Sequence, residues 1–262
     1  MSTLTTVLPR AAARLADRDI EAAIRDALAA VGGSPSDPVN RAIMATSISA
    51  VVDEYRHALA RRQLDYLEAV YLDTSTADVT PEPYAPESVT KVLTASWYTQ
   101  TARYAAVEDM HPLDRLELEY LPGGISEDLT DEAIARFISR AAAQLGQHIR
   151  NAPREAVMNA ARKRGDSWQR VMVGETCPFC AILVSRGAVY SSQSVRFRSH
   201  PHCDCGAAVV KRGRDGESII AAKQEAEHAA ELKEKWDRLY REAGSSKAAA
   251  LEFGQWYRGK TA

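Results

Sequence analysis

The sequence predicts a mainly α protein with a small β-containing Cys/His module, an α+β arrangement with a helical N-terminal half and a helical C-terminal tail. Three observations predict it. Apolar residues recur at three-to-four spacing through long stretches of the first half and again after residue 216. Between residues 165 and 214 that texture gives way to short β-like pieces. All 4 cysteines fall in this middle segment, within residues 177–205. A chain of 262 residues, 45% hydrophobic, buries the core of one large domain or two modest ones.

The elements follow in order. Residues 11–31 are rich in Ala, Leu, Ile, Arg and Glu and predict a helix, ended by Gly32 and Gly33. Asp37 followed by Pro38 is a helix start: a capping carboxylate, then a proline where the missing N–H costs nothing. That helix runs to about Leu72, with Ile43, Ile48, Val51, Val52, Tyr55, Leu59, Leu64, Leu67 and Tyr71 as its apolar face. Residues 73–86 read as a linker rich in Pro, Thr and acid. Residues 88–108 are helical again, burying Val92, Leu93, Trp97, Tyr98, Tyr104 and Val107. Residues 110–128 read as irregular, turning at Pro122, Gly123 and Gly124. Residues 131–164 are one helix or two, with Pro153 marking the joint. Strand-like pieces follow at 167–173, 188–190, 195–198 and 207–211, with a short helix at 178–185 between the first two. Residues 218–243 and 247–257 return to helix.

Charge is uneven although the formal net charge is only −2. Residues 73–132 hold 13 acidic against 3 basic side chains, and residues 151–214 hold 11 basic against 4 acidic. The basic set includes Arg162, Lys163, Arg164, Arg170, Arg186, Arg196, Arg198, Lys211, Arg212 and Arg214. These side chains suit DNA phosphates, an acidic protein surface, or simply solvent. No stretch has the roughly 18–20 uninterrupted apolar residues of a membrane span. The first ten residues lack the cationic start and apolar run of a signal peptide, so the expected compartment is a cytosol. Disulfides are disfavoured there, and clustered cysteines then point to metal or to chemistry.

The cluster reads Cys177-Pro-Phe-Cys180, closing with His200-Pro-His202-Cys203-Asp-Cys205. A CxxC pair followed about twenty residues later by HxHCxC is ligand spacing for tetrahedral zinc, because thiolate sulfur and imidazole nitrogen suit this borderline-soft ion. The leading set is Cys177, Cys180, His200 and Cys203, with Cys205 or His202 as substitutes. Packed metal-free thiols, a disulfide or redox pair, and a Cys–His nucleophile such as Cys180 with His202 are the competing readings. For the last, only Asp204 stands nearby to orient the base. On the zinc reading, Phe179, Ile182, Leu183 and Val195 pack around the module, and the metal replaces a core too small to hold it together. Trp236, Tyr240, Phe253, Trp256 and Tyr257 in the tail either fold back on the body or meet a partner.

The run Cys177-Pro-Phe-Cys180-Ala181, Ser185-Arg186-Gly187, Val189-Tyr190 and His200-Pro-His202-Cys203-Asp-Cys205 resembles the Mu F-like head-morphogenesis domain of tailed phages. The approach Ser167-Trp168-Gln169-Arg170-Val171 resembles it too. The close likeness covers residues 166–210, and the helix from Asp131 is expected to belong to the same domain. This divides the chain into an N-terminal helical region (1–72), a linker and helix (73–128), a Mu F-like domain with the Cys/His module (129–214) and a C-terminal helical tail (215–262).

The resemblance implies a minor capsid protein of the virion. It would be present in low copy number, associated with the portal and the capsid interior, as a structural protein and not an enzyme. It would act in head assembly or in DNA packaging and ejection, after assembly in the host cytoplasm. Its partners would be portal and capsid proteins, with packaged DNA a further candidate through the basic segment and no membrane involved. Some relatives are described as capsid maturation proteases. That alternative needs a catalytic histidine, and His57, His111, His148 and His228, outside the cluster, sit in no recognisable catalytic context. A zinc-stabilised nucleic-acid-binding module is the third reading.

Overall fold

The structure is a computed structural model, and it describes residues 10–32, 34–71, 81–98, 131–171, 177–185, 199, 205–210 and 220–261. Among these, seven helices and two strands follow one another: α1 (Arg10–Val31), α2 (Pro38–Tyr71), α3 (Pro86–Tyr98), α4 (Asp131–Arg164), β1 (Ser167–Val171), α5 (Pro178–Val184), β2 (Gly206–Val210), α6 (Ile220–Ala243) and α7 (Ser246–Thr261). The protein is mainly α with one small antiparallel sheet among the described residues. Of the sequence-predicted features, Tyr104, Val107, the irregular 110–128 and the strand pieces 188–190 and 195–198 lie outside the described residues.

Helix ends fall where the local chemistry puts them. Gly32 ends α1 at φ 59°, a left-handed backbone open to glycine at no cost. Asp37 caps α2: its Oδ1 accepts from the backbone N–H of Val39 at 2.8 Å. Gly165 ends α4 at φ 73°. There the N–H of Gly165 donates to Arg162 O and that of Asp166 to Ala161 O, the paired bonds that satisfy the last carbonyls of a helix.

The chain divides into two compact units. One comprises Ala11–Arg56 and Glu82–Ile149. Its buried side chains are large: Ile20 and Ile24 from α1, Met44, Ile48 and Val52 from α2, Leu93 and Trp97 from α3, and Phe137 from α4. Trp97 meets Phe137 edge-on at 5.8 Å. Arg41 is only 1% exposed. Its Nη1 donates to Pro35 O at 2.7 Å and Ser36 O at 2.9 Å, and its Nε to Thr94 Oγ1 at 3.1 Å. The guanidinium also lies over the Tyr98 ring, so a buried charge is met by carbonyls and a π face. At the entry to α3, Tyr84 N donates to Asp53 Oδ1, while the Tyr84 ring rests on His148 and under Arg56. Burial, and secondarily the Arg56 charge, pushes His148 below its ordinary 6.5.

One expectation is corrected, and one alternative is decided. Ile43 is 56% exposed, not part of the buried face of α2. It stands about 140° round the helix from Ile48, at about 100° per residue, and Met44 and Ala45 take the buried places instead. Pro153 does not divide α4, which is one 34-residue helix with the proline inside it. The proline removes one backbone bond. Burial of Ile149, Ala152, Ala156 and Val157 around it holds the helix together. Among the described residues, no helix is long and apolar enough to cross a membrane.

Candidate metal centre

The site lies in the second unit, which comprises Met1–Arg10, His57–Pro81 and Arg150–Ala262. β1 and β2 pair antiparallel, with Trp168 opposite Val209, Arg170 opposite Ala207 and Val171 opposite Gly206. Side chains alternate across a strand, so Trp168 and Arg170 share one face with Ala207, Val209 and Cys205, which immediately precedes β2. That face belongs to a core containing Trp168, Cys180, Cys205, Ala207 and Val209, together with Ala60, Leu64 and Leu67 of α2 and Ala152, Ala156, Ala160 and Ala161 of α4. The lining is mostly alanine and cysteine around one large ring.

Cys177 is the N-cap of α5, with Pro178 in the first turn. Its sulfur accepts from the backbone N–H of Cys180 at 3.4 Å, doing what a serine or aspartate oxygen does at other helix starts. Cys180 and Cys205 are buried at 0% and 1% exposure. Both sulfurs receive the same nitrogen: Arg170 Nη1 donates to Cys205 Sγ at 2.9 Å and to Cys180 Sγ at 3.6 Å. The three cysteines are free thiols, not disulfides. Each therefore has an N–H donor aimed at sulfur, which complements thiolate better than neutral thiol.

The opposite face of α5 carries Ala181 and Val184 into a second core with Leu232 and Leu239 of α6 and Ala249, Phe253 and Tyr257 of α7. Phe253 is fully buried and meets Trp236 and Trp256 edge-on and Tyr257 in a stack. The tail aromatics thus fold back on the body, except that Tyr240 stays 49% exposed. Tyr257 is pushed above its ordinary 10.0, first by burial and then by the neighbouring Cys177 and Cys180. The C-terminal helices are therefore a wall of the cysteine site.

Of the six candidate ligands, the structure brings Cys177, Cys180 and Cys205 into this module. His200, His202 and Cys203 lie outside the described residues. Among the described residues alone, no three ligating side chains are grouped closely enough to hold a metal ion. Cys205, ranked behind His200 and Cys203 on spacing, stands beside Cys180. Phe179 does not pack around the module: it is 51% exposed, while Ile182 and Leu183 are half-buried, because on so short a helix the two faces of α5 are taken by Cys180 and by Ala181 with Val184. Val195 lies outside the described residues.

Arg170, one of the basic side chains that in sequence suit phosphate, an acidic surface or solvent, is 4% exposed and faces sulfur. Strand alternation held the signal, since a period of two from Trp168 puts Arg170 on the apolar face. Of its described basic neighbours, Arg164 pairs with Asp166 at 3.1 Å and Arg162 donates to Asn159. Lys163 is exposed.

These features define a mainly helical protein whose small strand pair shares a core with Cys180 and Cys205 and with buried residues of α2 and α4. The sequence profile of the VG15 protein family matches residues 84–243, more than half of the chain. The chain belongs to that family, one of phage proteins of unspecified function. The match takes in α3, α4, the strand pair, α5 and α6. No curated protein and no solved structure matches the chain.

Proposed function

We propose that this chain is a minor capsid protein of a tailed phage, of the Mu F-like head-morphogenesis kind. It acts in head assembly or in DNA packaging and ejection, from the capsid interior near the portal. The observation that carries the reading is the cysteine module. The segment whose sequence resembles the Mu F-like domain is the one in which β1, α5 and β2 gather Cys177, Cys180 and Cys205, within a chain of a phage family.

The module's role on this reading is structural, with zinc as its cofactor. The donor set fits the ion: sulfur ligands with N–H groups directed at them, in a core whose alanines leave little apolar area. Four of the six side chains Cys177, Cys180, His200, His202, Cys203 and Cys205 would hold it, with Cys177, Cys180, His200 and Cys203 as the leading set. Zinc, when bound, supplies a cross-link between the α5 turn and the start of β2 that replaces hydrophobic burial.

The test is genetic and compositional. A nonsense mutation in this gene of the phage that carries it, with purified particles analysed by quantitative mass spectrometry, should find a few copies per wild-type virion. The mutant should give heads that fail to assemble, fill or infect. Infectious particles of normal composition made without the protein would overturn the proposal.

A further inference from the structure

We infer that Arg170 is the positioning residue of the cysteine site: its guanidinium aligns Cys180 and Cys205 as a thiolate pair and balances the negative charge of a thiolate-rich metal centre. The inference rests on the zinc reading above and adds a residue to it that ligand spacing does not contain.

The argument begins with charge. A divalent ion with three thiolates and an imidazole carries one net negative charge, and with four thiolates it carries two. Burying net charge beside Trp168 and a row of alanines is costly unless an opposite charge is paired with it. Arg170 is a buried cation on that face, at 4% exposure. It reaches the sulfurs because the β1–β2 register sets it opposite Ala207, two residues from Cys205 and on the same face.

One nitrogen serves both sulfurs. One Nη nitrogen carries two hydrogens, and Nη1 directs them at two sulfurs, 2.9 Å and 3.6 Å away. Cys177, one turn from Cys180, receives a backbone N–H instead. All three described sulfurs are thereby supplied with donors by two devices, a helix start and one side chain. Donors of this kind orient metal ligands and typically change metal affinity ~10- to 100-fold when removed.

The experiment measures zinc affinity of the full-length protein by competition with a chromophoric chelator, in wild type, Arg170→Lys, Arg170→Gln and Arg170→Met. Folding is checked by circular dichroism, and thiolate ligation by the charge-transfer spectrum of the cobalt-substituted protein. The expected result is one metal per chain in every folded variant, with affinity falling by ~10- to 100-fold in Arg170→Met and less in Arg170→Lys, and with the cobalt band altered. Unchanged affinity and an unchanged cobalt band in a folded variant lacking the guanidinium would overturn the role of Arg170 while leaving the zinc site standing. A wild-type protein that binds neither zinc nor cobalt would overturn the zinc reading and this inference with it. Should every variant unfold, NMR of the cadmium-substituted wild type decides instead: coupling between the metal and the Arg170 N–H protons is expected, and its absence contradicts the inference.

Discussion

The two units bury their residues equally well and with different material. In the first, the interior is Ile20, Ile24, Met44, Ile48, Leu93, Trp97 and Phe137, each at 2% exposure or less. The core around the cysteine module includes Leu64, Leu67, Val157 and Met158, but more of it is alanine and cysteine: Ala60, Ala152, Ala156, Ala160, Ala161, Ala207, Cys180 and Cys205, around the Trp168 ring. Hydrophobic stabilisation scales with apolar area, about 25 cal/mol per Å², so alanine contributes far less per buried residue than isoleucine or tryptophan. The first unit can rest on packing. The module relies on directional bonds to sulfur, on the C-terminal aromatic wall and, on the proposed reading, on a metal.

Changes in the first unit should break it through lost packing and be indifferent to chelators. Trp97→Ala is expected to cost about 3–5 kcal/mol in urea unfolding, the same with or without chelator. A much smaller loss would show that its contact with Phe137 is not central. Next in size, in the second unit, is Gly165→Ala at the end of α4: a side chain at φ 73° should cost about 1–3 kcal/mol, although no atom stands in its way. A neutral result would mean the α4 terminus relaxes to another turn.

A milder effect is expected from pH. His148 is held neutral in the folded state to lower pH than the ordinary 6.5 of the unfolded chain, by burial and by Arg56. Its contribution is complete above about 6.5. Below that, the unfolded state takes up a proton that the folded state resists, and stability declines toward the lowered folded value. His148→Gln should flatten the stability profile over this acid range, and an unchanged slope would assign the acid sensitivity to other groups. The smallest effect belongs to Ile43→Ala, which at 56% exposure should alter stability by less than about 0.5 kcal/mol. A loss of 2 kcal/mol or so, in the range of buried truncations, would place Ile43 in a buried contact.

The sequence made several helix boundaries legible because they are written in local chemistry. Asp37 with Pro38, and the glycines at 32 and 165, act within a few residues and need no tertiary context. The apolar repeat located Ile48, Val52, Leu59, Leu64 and Leu67 correctly as buried positions of α2. Ile43 escaped because a long helix with apolar residues on several sides does not announce which arc is used. Pro153 escaped because the loss of one backbone bond is a local rule, while the burial that overrides it is a property of the folded chain. In the module, spacing singled out Cys177, Cys180 and Cys205 as candidates, and the fold puts Cys180 and Cys205 in one core with Cys177 packed against it. Arg170 was misread as a surface charge, because its partners, Cys180 and Cys205, are ten and thirty-five residues away.

The most direct test of the account is zinc content by elemental mass spectrometry, for the freshly purified wild type and for Cys177→Ser/Cys180→Ser, alongside thermal melts of both. The account predicts one zinc per wild-type chain, lost in the double variant together with cooperative melting of the module. Reduced, chelator-free wild-type protein without metal, melting as the double variant does, would contradict it and leave Arg170 and packed thiols to hold the module alone.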